Sequence, residues 1–73
     1  MKAQDAINHI KAGGRAYVAT QTRLTIIDAK CLAKFEAAGQ WLLKDDIDGR
    51  GLRLRSGKGT VYLFEGQLKL EAL

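Results

Sequence analysis

Several parts of the chain hold residue types that could do chemistry, and spacing decides what each can do. Residues 51–60, GLRLRSGKGT, combine glycines, a lysine and a threonine in the manner of a phosphate-binding loop. Such a loop sets four residues between its first two glycines and follows its lysine with Ser or Thr at the head of a helix. Here five residues separate Gly51 from Gly57, Gly59 follows Lys58, and strand-type sequence lies on both sides, so nucleotide binding is not expected. Asp46-Ile47-Asp48-Gly49 echoes the start of a calcium loop, but the third acid and the distal bidentate Glu are absent, which leaves an acidic turn. His9 has no second His to share a metal and no nucleophile to serve. Cys31 falls on an apolar helical stripe without a positive cluster to activate it, and reads as a small hydrophobe. No acid–base pair, partnered nucleophile or metal set can be assembled, so an enzyme, a cofactor and a metal are not expected.

The remaining constellation is basic and aromatic. Leu52 and Leu54 alternate with Arg53 and Arg55, Val61 and Leu63 with Tyr62 and Phe64, and Leu68 and Leu70 with Lys69 and Glu71. This is the period of half-buried strands. With Gly57-Lys58 as a two-residue hairpin loop, Leu54 faces Val61, Leu52 faces Leu63 and Arg55 faces Thr60. With Glu65-Gly66 as the next loop, Phe64 faces Gln67, Leu63 faces Leu68 and Val61 faces Leu70. A slip of one residue would set leucines opposite cations, so residues 51–72 are expected to form a three-stranded meander. Its outer face then carries Arg53, Arg55, Tyr62 and Lys69 with Lys58 at the hairpin tip, joined by Thr60 and by Phe64, which lies across from Gly51. These five named first are the candidate partner-binding residues. Basic residues beside aromatic rings suit acidic protein segments, and also single-stranded nucleic acid. The plain alternative is a solvated face whose Arg and Lys stems cover the rings. Because the face points away from the leucines, replacing Arg53 and Arg55 by Glu is expected to leave stability within about ±0.5 kcal/mol.

The remaining elements must support that face. Ala3, Ala6, Ile7 and Ile10 share one helical face and stop at Gly13-Gly14, which predicts a helix over residues 3–12. RAYVAT (15–20) and LTII (24–27) predict two short strands. Asp28 is a good N-cap, and Cys31, Leu32, Phe35 and Ala38 form a buried stripe up to Gly39, predicting a helix over 29–38. WLLK (41–44) predicts a strand with Trp41 as a core anchor. The fold class is therefore α+β: two short helices packed on a small, mostly antiparallel sheet ending in a three-stranded meander, as one domain over residues 1–73.

A chain of 73 residues with 12 Lys and Arg against 8 Asp and Glu carries a net charge of +4, which favours acidic partners. One cysteine fits a reducing cytoplasm better than a disulfide scaffold. Asp5, His9 and Lys11 interrupt the first twenty residues and no long apolar run follows, so neither a signal peptide nor a membrane contact is expected. Lys69 and Glu71 on the last strand argue against edge pairing, and a monomer is expected.

Taken whole, the order AINHIKAGGRAYVAT, TRLTIIDAKCLAKFEAAG, WLLKD and GLRLRSGKGTVYLFEGQLKL resembles the small RNA-polymerase-binding transcription regulators of lytic Xanthomonas phages. The resemblance spans essentially the full length. It implies a transcription inhibitor in the host cytoplasm that binds bacterial RNA polymerase at the N-terminal region of the beta-prime subunit, displaces sigma and influences termination, including antitermination. It implies no particular contact residues. The alternative is a small basic nucleic-acid-binding repressor that acts without polymerase. Against it, the helix over 29–38 has strands rather than a second helix beside it, so no helix-turn-helix is formed.

Overall fold

The computed structural model describes residues 1–19, 24–56 and 59–71. In chain order the elements are α1 (Ala3–Lys11), β1 (Arg15–Ala19), β2 (Leu24–Ile27), α2 (Ala29–Ala37), β3 (Leu43–Asp45), β4 (Leu52–Ser56), β5 (Gly59–Leu63) and β6 (Leu68–Glu71). The strands form two antiparallel sheets of three, ordered β2-β1-β6 and β3-β4-β5. This is the expected α+β class with a meander, divided over two sheets. Among the described residues no helix is long and apolar enough to cross a membrane.

Local chemistry sets the helix ends. Past α1, the N–H of Gly13 donates to Ile10 O and that of Gly14 to His9 O, with Gly13 at φ +99°. Ahead of α2, Asp28 Oδ1 accepts the Cys31 N–H at 3.1 Å and satisfies one of the donors that a helix start leaves open. Of the stripe expected to be buried on α2, only Leu32 is: Cys31 and Phe35 are half-buried and Ala38 is exposed. Trp41 is also half-buried; the chain enters the core at Leu42 and Leu43 instead.

The β4–β5 register is as expected, with Leu52 opposite Leu63, Leu54 opposite Val61 and Arg55 opposite Thr60. The Gly57-Lys58 loop itself lies outside the described residues. The β5–β6 pairing is not formed. The third strand of the meander is β3, which sets Leu43 opposite Leu54, Lys44 opposite Arg53 and Asp45 opposite Leu52. Strand β6 joins β1 instead, with Leu68 opposite Val18, Tyr17 opposite Lys69 and Ala16 opposite Leu70. The turn between β5 and β6 supplies a physical reason. Gln67 N–H donates to Phe64 O at 2.9 Å, as a hairpin requires, but the return bond is diverted: Phe64 N–H donates to the Gln67 side-chain Oε1 at 3.0 Å. The first rung is closed by a side chain, and the strand beyond it leaves for the other sheet.

One apolar cluster joins the two sheets and both helices, with Ile10, Ile27 and Leu63 fully buried at its centre. Helix α1 is fastened to both sheets. The Ala3 N–H donates to Asp45 Oδ1 at 2.8 Å, tying the helix start to β3. At its other end the His9 ring contacts the Glu71 carbonyl of β6 at 2.6 Å through Nε2, which must carry the proton because a carbonyl only accepts. That ring lies over Gly14, where any Cβ would overlap the imidazole. His9 is thus a clamp between α1 and β6.

Candidate interaction surface

Strand register decides which side chains share the outer face of the β3-β4-β5 sheet. Lys44, Arg53 and Tyr62 form one cross-strand row and Arg55 with Thr60 the next, because each lies one residue from the leucine rows that face the core. Three of the five residues expected on this face are therefore together: Arg53, Arg55 and Tyr62. Lys58 lies outside the described residues. Lys69 is not on this face, because β6 pairs with β1 and sets Lys69 beside Tyr17 in the other sheet. Lys44 and Trp41 take part instead. The signal for Lys44 was present in the Leu43-Lys44 step, once Leu43 is matched to Leu54.

The loop over residues 46–51 folds back onto this face and changes its electrostatics. Arg53 Nε donates to Asp46 Oδ1 at 2.5 Å, and the Asp46 side chain is only 12% exposed. Tyr62 O–H donates to Asp48 Oδ2 at 2.8 Å, while Asp48 Oδ1 accepts the N–H groups of Arg50 at 2.9 Å and Gly51 at 3.2 Å. The two acids that echoed a calcium loop therefore hold a cation, a phenol and two backbone donors. Gly51 permits the arrangement. A Cβ there would overlap the end of the Tyr62 ring and lie 2.7 Å from the Leu63 carbonyl oxygen. It is thus Tyr62, rather than Phe64, that occupies the space over Gly51. Phe64 meets the Tyr62 ring edge-on at 5.1 Å and stays 72% exposed.

Arg55 behaves differently from Arg53. Its guanidinium lies over the Trp41 ring at 4.6 Å from the centroid, with Lys44 Nζ at 5.7 Å, so both are placed for cation–π attraction. Its Nε is buried without a hydrogen-bond partner. Farther along, burial and then the Asp28 charge push the Cys31 thiol up, which disfavours the thiolate.

The Asp48–Tyr62 bond has a titration signature. The Asp48 carboxyl is held below the ordinary aspartate range, first by the Arg50 N–H and then by the Tyr62 hydroxyl and the Gly51 N–H. The Tyr62 phenol is pushed above its usual value, chiefly because its proton is donated to Asp48. A depressed carboxyl contributes stability that is present above its unfolded pKa and lost as pH falls through its folded value. A raised phenol contributes stability that is present below its unfolded pKa and lost as pH rises through its folded value. The bond therefore holds through neutral pH and loosens at both extremes. In a Tyr17→Phe background, ultraviolet titration should place Tyr62 above free tyrosine, and Asp48→Asn should move the midpoint back down. A midpoint that ignores Asp48→Asn would show that the two groups are not bonded.

Comparison with protein-family models, with curated proteins and with solved structures returns no match to this chain.

Proposed function

We propose that this chain is a protein-binding transcription regulator that docks on bacterial RNA polymerase in the host cytoplasm, at the N-terminal region of beta-prime, and inhibits sigma-dependent initiation by displacing sigma, with an effect on termination. The choice of polymerase comes from the sequence resemblance. Support for a protein partner comes from the β3-β4-β5 face, where Trp41, Tyr62 and Phe64 are interleaved with Lys44, Arg53 and Arg55. Aromatic rings and arginine are the residue types that dominate the energetics of protein interfaces. A nucleic-acid track would instead need a line of cations free to neutralise phosphates. Here Asp46 already holds Arg53, and the Asp48 carboxylate lies beside Tyr62, where it would repel a phosphate.

The test uses purified components. The protein should bind the matching host polymerase with no nucleic acid present and reduce promoter-dependent transcription, while failing to retard bare promoter DNA at physiological salt. Retardation of bare DNA that weakens steeply with salt and is indifferent to polymerase would overturn this reading in favour of a nucleic-acid-binding repressor.

A further inference from the structure

Between the β2 edge, α2 and the end of β4 lies an open apolar groove of about 230 Å³, lined by Ile26, Cys31, Phe35, Leu42, Leu54 and Arg55. It continues through Cys31 and Phe35 into a second open hollow of about 400 Å³ that reaches Lys34. The groove exists because the apolar stripe of α2 is only partly covered: Phe35 and Cys31 remain half-buried, and the free edge of β2 leaves Ile26 43% exposed. Its volume suits one large side chain, since a cavity of about 150 Å³ already accepts benzene.

Charge narrows the choice of occupant. Among the described residues Lys11, Arg15 and Arg53 have ion-pair partners, whereas Lys30, Lys34 and Arg55 have none. Asp28, the acid that acts on Cys31, is already engaged by the Cys31 N–H. At the groove wall, Arg55 Nε is shielded from solvent with its hydrogen bond unmade. A partner carboxylate cannot reach that shielded atom, but it can pair with the terminal N–H groups of the same half-buried guanidinium, which has no ion-pair partner among the described residues.

We infer that this groove is the anchoring site for an acidic segment of a partner protein, which inserts one large apolar side chain between Phe35, Leu42 and Leu54 and sets a carboxylate on Arg55. The inference rests on the protein-binding reading above and names the partner's chemistry. Arg55 links the groove to the aromatic face, because the residue that lines the groove sets its guanidinium over Trp41.

The probe is a capped peptide of alternating Glu with Leu and Phe, compared with its Gln-for-Glu isostere and with a single-stranded oligothymidylate. On titration of ¹⁵N-labelled protein, the acidic peptide should shift the amides of Ile26, Cys31, Phe35 and Arg55. The Gln isostere should bind about tenfold more weakly, as loss of a charge-assisted contact predicts. Cys31→Trp, which fills the groove, should weaken the acidic peptide by at least about tenfold. Ile26→Glu, at an exposed rim position, gives the same reading should Cys31→Trp fail to fold. Shifts confined to Tyr62 and Phe64, indifference to Glu against Gln, or displacement of the peptide by oligothymidylate would each overturn the inference. Polymerase binding by the same variants separates the two readings. Polymerase bound equally by wild type and by the groove variants overturns the groove as the anchor and leaves the protein-binding function. Peptide bound in the groove with no polymerase bound at all supports the groove and overturns polymerase as the partner.

Discussion

Leu63→Ala should remove a large part of the protein's stability in a urea melt, and Val61→Ala, two residues earlier on the same strand, should remove little. Leu63 is 1% exposed and Val61 is 47% exposed. Truncating a buried leucine costs about 2–5 kcal/mol, the lost transfer energy plus that of the cavity left behind. A 73-residue chain holds only about 4–11 kcal/mol in total, at the usual 0.05–0.15 kcal/mol per residue. Leu63→Ala therefore brings the domain close to unfolding at room temperature. Val61→Ala should stay within about 1 kcal/mol, since an exposed side chain leaves no cavity. The contrast discriminates between two topologies. If β6 paired with β5, Val61 would face Leu70 on the core side and both truncations would be severe. Equal losses would thus restore the single-sheet meander and overturn the exchange of β6 onto β1.

That exchange marks the limit of what alternation can reveal. Helix ends were legible because their causes are local: the Gly13-Gly14 stop and the Asp28 cap act within a few residues. The β4–β5 register was legible for the same reason, a short loop between two alternating strands. Leu68 and Leu70 also alternate, but a period of two says only that one side is buried, and is satisfied equally by Val61 and Leu63 or by Ala16 and Val18. Choosing the second pair joins residues as far apart as Arg15 and Glu71, 56 positions away, and depends on a diverted side-chain bond at Gln67. Neither cause leaves a mark in the strand pattern.

The candidate surface was readable to the same depth. Arg53, Arg55 and Tyr62 share a face because the correct register put them there, and Lys69 was lost with the incorrect one. The acids that neutralise part of the face were read as an acidic turn, because nothing in Asp-Asp-Ile-Asp-Gly indicates that the loop folds back over β4 and β5. The groove was missed for a complementary reason. Helical spacing identified Cys31 and Phe35 as apolar-face residues, but periodicity cannot say whether another element covers that face.

The Asp46–Arg53 pair changes what charge reversal on this face should do. Were Arg53 an unattached surface cation, Arg53→Glu would be nearly neutral for stability. Instead it sets a second carboxylate against Asp46, which is largely shielded from water. The pair lies between an exposed ion pair, worth about 0–1 kcal/mol, and a fully buried one, whose breaking costs about 3–5 kcal/mol. Arg53 is 41% exposed, which sets the expected loss for Arg53→Glu at about 1–3 kcal/mol. Asp46→Lys combined with Arg53→Glu should recover at least half of it, because the attraction returns with its sign exchanged. A double-mutant cycle in urea isolates the coupling from any effect of either change alone. Consequently a drop in polymerase affinity for Arg53→Glu reports binding only after correction for the folded fraction. Arg55→Gln, at a cation with no acid partner among the described residues, is the cleaner probe of binding. A coupling below about 0.5 kcal/mol would mean that Asp46 and Arg53 act as an ordinary exposed pair. Arg53 would then be free to meet an acidic partner, and the loop over residues 46–51 would no longer set the charge of the face.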